Sequence, residues 1–138
     1  MFHAGKVPTK YLSYLGLFKH IIGLVDTKNY SYSQLFNEIH IETGGMVPVI
    51  NLYTDSKELS KCDVYFEWKV KTLEGKLQEA YDLSKEVLLY SMFEDDKRLY
   101  ELVAELKSRM QSDMTSAGHQ VAMGRAASYF SPVAAISN

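Results

Sequence analysis

The sequence has very little cysteine, no excess of basic residues and no long apolar run. Cys62 is the only cysteine in 138 residues, which excludes an intrachain disulfide and a cysteine-cluster zinc site and favours a reducing compartment. The net charge is −2, whereas a nucleic-acid-binding protein usually carries a basic excess. No apolar run reaches the ~18 residues that a membrane span needs, and the first ten residues lack a signal-peptide core. We therefore expect a cytoplasmic protein that binds neither nucleic acid nor membrane.

What is present is the composition of an ordinary globular domain. Hydrophobic residues make up 46% of the chain and charged residues 23%, which argues against disorder. A length of 138 residues is close to that of the commonest single domains. We therefore expect one domain over residues 1–138 with a core of its own.

Hydrophobic periodicity predicts an α+β domain, a two-layer sandwich of helices on an antiparallel sheet, in the order β-α-α-β-β-α-α. Strands are expected at residues 1–4, 47–53 and 64–71. Pro48 argues against a central position for the second strand. In the third strand, alternation places Phe66 and Trp68 on a buried face and Glu67 on a solvated face.

The expected helices are bounded by specific signals. The first covers residues 11–25, and we expect it to be deeply buried because apolar residues lie on more than one of its faces. Ser31 and Gln34 form a capping box for the second, which is expected to end at Gly44 or Gly45. The last two helices are expected at residues 77–88 and from Glu94–Asp96 onward, with residues 112–130 continuing as helix and 131–138 forming a loop.

No set of residues in the chain has the spacing of a catalytic or metal site. The histidines make no H-x-x-x-H or H-x-x-E-H pair, so a lone His20 is best explained as a hydrogen-bonded histidine of the core or its boundary. Alternate residues on a helix point in different directions, which argues against a metal site in "EIHIE". Neither Cys62 nor the helical serines have the surroundings of a nucleophile. The residues considered are His3, His20, His40, His119, Glu38, Glu42, Cys62, Ser108, Ser112 and Ser116.

Three longer stretches carry a family resemblance. They are "YLGLFKHIIGLVDTKNYSYSQLFNEIHIETGG", "LQEAYDLSKEVLLYSMFEDDKRLYELVAELKSRM" and "GHQVAMGRAASYFSP". Together they resemble the insulinase (pitrilysin-type) family of zinc metallopeptidases, in the presequence-protease branch, over nearly the whole chain. The resemblance implies the fold of the LuxS/MPP-like metallopeptidases.

The resemblance also implies a parent protein larger than this chain. Peptidases of this family consist of four related α+β domains that close as two halves around an unfolded peptide. Zinc lies in the first domain, on a helix with an H-x-x-E-H motif, and a downstream glutamate is the third protein ligand. We expect this chain to be a truncated third domain, with the other domains of the same polypeptide as its partners and a peptide as substrate of the parent chamber.

The zinc motif is degenerate in this copy. With the alignment anchored on "SYSQLFNEI", the H-x-x-E-H positions fall on Leu17, His20 and Ile21. The third ligand position falls near Ser108, with Glu101 or Glu105 as alternatives. The resemblance therefore implies zinc in the parent enzyme and no zinc, other cofactor or catalytic residue in this chain.

Two functions remain open from the sequence. One is a non-catalytic structural domain of a zinc metalloendopeptidase that degrades peptides inside a closed chamber. The other is a scaffold or binding module of a peptidase-like protein that has lost catalysis. In either case we expect exposed apolar area and self-association of the isolated chain.

Overall fold

A computed structural model describes residues 1–5, 7–54 and 62–137 and has nine main elements in these parts of the chain. They confirm the predicted α+β class and follow the predicted order through the fourth helix, with two further helices after it. The elements are β1 (Phe2–His3), α1 (Leu12–Ile21), α2 (Tyr32–Glu42), β2 (Met46–Thr54), β3 (Cys62–Val70), α3 (Leu77–Tyr90), α4 (Asp96–Ser116), α5 (Gly118–Ala127) and α6 (Pro132–Ser137).

The predicted loop at residues 131–138 is wrong for most of its length. Residues Pro132–Ser137 are helical, and the proline occupies the first helical position, where its missing N–H would have had no partner. Residue 138 lies outside the described residues, as does most of the predicted loop between β2 and β3. The break between α4 and α5 falls at Ala117, whose backbone leaves the helical region.

The three strands form an antiparallel sheet in the order β1-β3-β2. Lys71 N–H donates to the Gly45 carbonyl over 3.0 Å, and the register continues through Met46–Val70 to Pro48–Trp68. Hydrogen-bonded and non-bonded pairs alternate along such a ladder, so the nitrogen of Pro48 faces away from β3. The proline removes no ladder bond there, which confirms that β2 is not the central strand of this sheet.

Helices cover one face of the sheet and form its core. Leu35 and Val87 are fully buried, and Phe66 of β3 packs with them. The other members are Ile22, Ile39 and Leu83. This cluster joins α2, α3 and the end of α1 to the sheet, and burial of large side chains of this kind contributes roughly 1.5–3 kcal/mol each.

The other face of β3 is less solvated than alternation predicts. Glu67 is buried, because the Tyr53 hydroxyl donates to its carboxylate over 2.8 Å and Lys69 lies 3.3 Å away. The Tyr53 hydrogen bond is the main reason that the pKa of Glu67 is lowered, although desolvation opposes it. The same bond raises the pKa of Tyr53.

Helix α1 is shorter and more exposed than predicted. It ends at Ile21, its only fully buried residue, and Tyr11 and Tyr14 before and within it are exposed. Gly23 follows at a φ of 85°, a left-handed conformation that glycine adopts at no steric cost. The helix therefore stops before Val25, and one aromatic face stays in solvent.

Many large apolar side chains are exposed, as predicted. They include Leu77, Tyr81 and Leu89 on the outer face of α3, and Met110 and Met114 on the second half of α4. Self-association itself stays a prediction. Within the described part of the chain, no helix combines the length and the hydropathy that crossing a membrane requires.

Candidate functional site

Leu17 and Ile21, the two degenerate ligand positions, face helix α4. Ile21 forms a buried cluster with Val25 and Leu102, and Leu17 packs against that cluster. Neither aliphatic side chain can donate an electron pair to a metal. The space between α1 and α4 is filled by apolar contacts.

His20, the third degenerate position, lies at the surface of α1 and is exposed. The expectation of a hydrogen-bonded core or boundary histidine is wrong, since no hydrogen bond to its ring is seen among the described residues. Desolvation and the neighbouring charges of Lys19 and Arg109 lower the pKa of His20. Two nearby cations make this position unfavourable for a metal ion.

The candidate third ligands on α4 are also occupied or unsuited. Glu105 accepts a hydrogen bond from Arg109 Nη2 over 2.9 Å, and Glu101 lies 3.6 Å from Arg98. Ser108 is exposed on the same helix. These residues do not fit zinc, and no cluster of three or more His, Cys, Asp or Glu within residues 1–5, 7–54 and 62–137 could hold a metal ion.

The residues of "EIHIE" separate onto two sides of α2. Glu38 and Glu42 line a cleft against α3, and Glu42 accepts a hydrogen bond from Lys76. His40 lines a second cleft on the other side, and its Nδ1 donates to the Phe36 carbonyl over 2.7 Å. The three side chains therefore do not converge on one ligand.

The most specific polar arrangement is the turn between α1 and α2, "DTKNY", which docks on the end of α3. Glu86 accepts two hydrogen bonds from Asn29, one from the backbone N–H over 3.1 Å and one from Nδ2 over 2.9 Å. Backbone bonds at both ends complete the contact, from Lys28 N–H to Tyr90 and from Met92 N–H to Asp26. The turn is thereby fixed on the core.

Glu86 is a residue that the sequence reasoning missed. It is buried on the same face of α3 as Leu83 and Val87. Burial alone would raise its pKa, but hydrogen bonds from Asn29 and Thr27 outweigh burial and lower it. A charged residue within an otherwise apolar helical stripe is the signal that could have found it.

Arg98 ties the start of α4 to the same region. Its Nε donates to the Leu24 carbonyl over 3.1 Å, and its guanidinium lies 3.9 Å from the centre of the Tyr32 ring. Asp95 caps the helix by accepting from the Arg98 backbone N–H over 3.0 Å. These contacts are structural, and they position α4 against α1.

Comparison with protein families explains why these structural contacts dominate. The peptidase-associated family of subfamily C of the insulinase-type peptidases matches residues 1–138. The chain belongs to this peptidase-associated family. The match confirms the predicted insulinase-type family, and the relatives support the presequence-protease branch.

The relatives of this peptidase-associated chain are much longer proteins. It is 30% identical to Protein HypA of Clostridium perfringens over 128 residues, which is 93% of this chain and 13% of that protein. It is 30% identical to a mitochondrial presequence protease of Debaryomyces hansenii over 138 residues, 96% of this chain and 13% of that one. The mitochondrial presequence protease of Yarrowia lipolytica is 26% identical, with the same shares of 96% and 13%. The chain therefore spans about an eighth of the length of the curated relatives it matches.

Proposed function

We propose that this peptidase-associated chain is a non-catalytic structural domain of a zinc-dependent metalloendopeptidase that degrades peptides inside a closed chamber. The observation that carries the proposal is the apolar packing of Leu17 and Ile21 against Leu102, at the positions where the family's catalytic domain holds its ligands. The zinc and the catalytic groups would then lie in another domain of the same polypeptide.

The rest of the parent polypeptide is the partner that the surface of this domain supports. Exposed apolar residues on α3 and on the second half of α4 are more numerous than scattered surface positions require. Contact with neighbouring domains would remove this area from water, which is favourable by about 25 cal/mol per Å². We place the parent in the cytoplasm, a proposal that rests on the single cysteine.

Metal analysis and a peptide-hydrolysis assay test the non-catalytic role. The purified chain, dialysed against zinc, should retain no stoichiometric metal and should not cleave an unstructured fluorogenic peptide. A full-length presequence protease, treated identically, is the positive control for both measurements. One tightly bound zinc per chain would contradict the proposal.

A complementation experiment separates this proposal from a scaffold without catalysis. The parent protein lacking residues 1–138 is mixed with the separate chain, and binding and peptide hydrolysis are measured together. Recovery of hydrolysis supports a structural domain of an active peptidase. Binding without any hydrolysis, in a parent that is also inactive when intact, supports the scaffold.

A further inference from the structure

A cleft of about 540 Å³ lies between the C-terminal ends of α1 and α2 and the first residues of β2. It is separate from the packed ligand positions Leu17 and Ile21. Its walls are mainly apolar, with Phe36, Ile39, Met46 and Trp68 among the lining residues. Of the described residues that line it, none is acidic.

The charges around the cleft compensate the two helix ends. Lys19 and His20 lie in the last turn of α1, and His40 lies in the last turn of α2. The unpaired carbonyls at a helix C-terminus carry a partial negative charge that basic residues offset. The cleft therefore presents no strong charge of either sign and suits an uncharged, apolar occupant.

One wall of the cleft is a free strand edge. In the sheet that the described residues form, β2 pairs with β3 on one side only. The Lys71-to-Gly45 hydrogen bond fixes the alternation, so the backbone groups of Met46, Pro48 and Ile50 face away from β3. Unpaired backbone donors and acceptors of this kind pair with an extended chain.

We propose that this cleft binds an extended, uncharged peptide segment, which pairs with the free edge of β2 and inserts an apolar side chain beside Trp68. The indole Nε1 of Trp68 is buried without an acceptor, and a peptide carbonyl brought beside the ring would relieve that cost. The inference concerns binding by this domain alone and does not depend on the metallopeptidase activity proposed above.

Trp68 provides the measurement, because it is the only tryptophan in the chain. The probe is an acetylated, amidated hexapeptide of alternating leucine and threonine, titrated while tryptophan fluorescence and heat of binding are recorded. Saturable binding with a shift of the emission maximum is expected. In Trp68→Phe the fluorescence signal disappears, while the calorimetric signal shows whether binding persists.

Backbone methylation of the peptide tests the strand pairing. One peptide is N-methylated at alternate residues and a second at the intervening residues, so only one of the two loses the donors that face β2. One of these peptides should bind at least about tenfold more weakly than the other, as expected for lost backbone hydrogen bonds. Equal affinities would overturn the pairing.

Two protein variants test the cleft itself. Phe36→Ala, which removes a half-exposed wall residue, should weaken binding by about three- to tenfold through lost apolar contact. Tyr81→Ala, on the exposed face of α3 and away from the cleft, is the matched control and should change nothing. If no peptide binds the unmodified chain, or if lauric acid binds more tightly than every peptide, the proposal is wrong.

Discussion

Asn29 holds Glu86 with two hydrogen bonds, from its backbone nitrogen over 3.1 Å and its side-chain amide over 2.9 Å, across 57 positions of sequence. The pair joins the turn between α1 and α2 to the buried face of α3. Because both carboxylate oxygens of Glu86 are bonded, a buried charge is tolerated in the core. The "DTKNY" turn, part of the stretch that resembles the family most specifically, therefore has a structural role.

Replacing Glu86 tests this role. Glu86→Gln leaves one acceptor and turns an amide N–H₂ toward the donors of Asn29, so it should lower the free energy of unfolding by about 1–3 kcal/mol. Urea denaturation at pH 7 measures the change. Glu74→Gln, an exposed glutamate, is the control and should stay within about 0.5 kcal/mol of the unmodified chain.

The same pair predicts a dependence on pH. The pKa of Glu86 is lowered from the ordinary value of 4.5, so its stabilising contribution is complete above that pH and is lost as the pH falls through the lowered value. The stability difference between the unmodified chain and Glu86→Gln should therefore shrink below pH 4.5. A difference that stays constant down to the acid transition would contradict the assignment.

Two glycines of the α1 region should respond in opposite directions to alanine. Gly23 has a φ of 85°, and a Cβ there meets only Val87 at 3.9 Å, so its cost is conformational. Gly23→Ala should destabilise by about 1–2 kcal/mol. Gly16→Ala lies within α1 with nothing within 4 Å of the new Cβ, and should stabilise by about 0.5–1 kcal/mol.

Thermal unfolding of both glycine variants decides this prediction. Circular dichroism at 222 nm follows the helices directly, and the two changes in melting temperature should have opposite signs. Stabilisation by Gly23→Ala would mean that the turn after α1 is not left-handed at that position.

Neighbouring residues of the degenerate zinc motif should differ sharply in their effect on stability. Ile21→Ala removes a buried side chain that packs with Val25 and Leu102, and should cost about 2–5 kcal/mol. His20→Ala changes an exposed side chain and should cost no more than about 0.5 kcal/mol. Denaturant midpoints compare the two, and a large loss in His20→Ala alone would reverse the roles assigned here.

The elements that sequence predicted well are those with local signals. The Ser31–Gln34 capping box is present, with Gln34 accepting from the Ser31 backbone N–H over 3.1 Å, and α2 begins at the next residue. Asp95 likewise caps α4. In each case the hydrogen bond spans three residues, so the chemistry that starts the helix is visible within a few letters of sequence.

The features that sequence missed depend on distant partners. Glu67 was expected on a solvated face, but Tyr53 of the neighbouring strand and Lys69 neutralise it there. Helix α1 was expected to be deeply buried, but its neighbours cover only the side that carries Ile21. Periodicity identifies an apolar face and does not show whether another element will cover it.

By itself, the sequence determined the fold class, the start of α2, the non-central position of β2 and the family, because propensity, caps, proline chemistry and motif letters are local properties. Tertiary structure decided which side chains fill the degenerate zinc positions and how Glu86 is held, because both depend on contacts between segments far apart in the chain. The sequence could show that Leu17 and Ile21 bind no metal. Only the packing of α1 on α4 showed that Leu102 fills the space beside them.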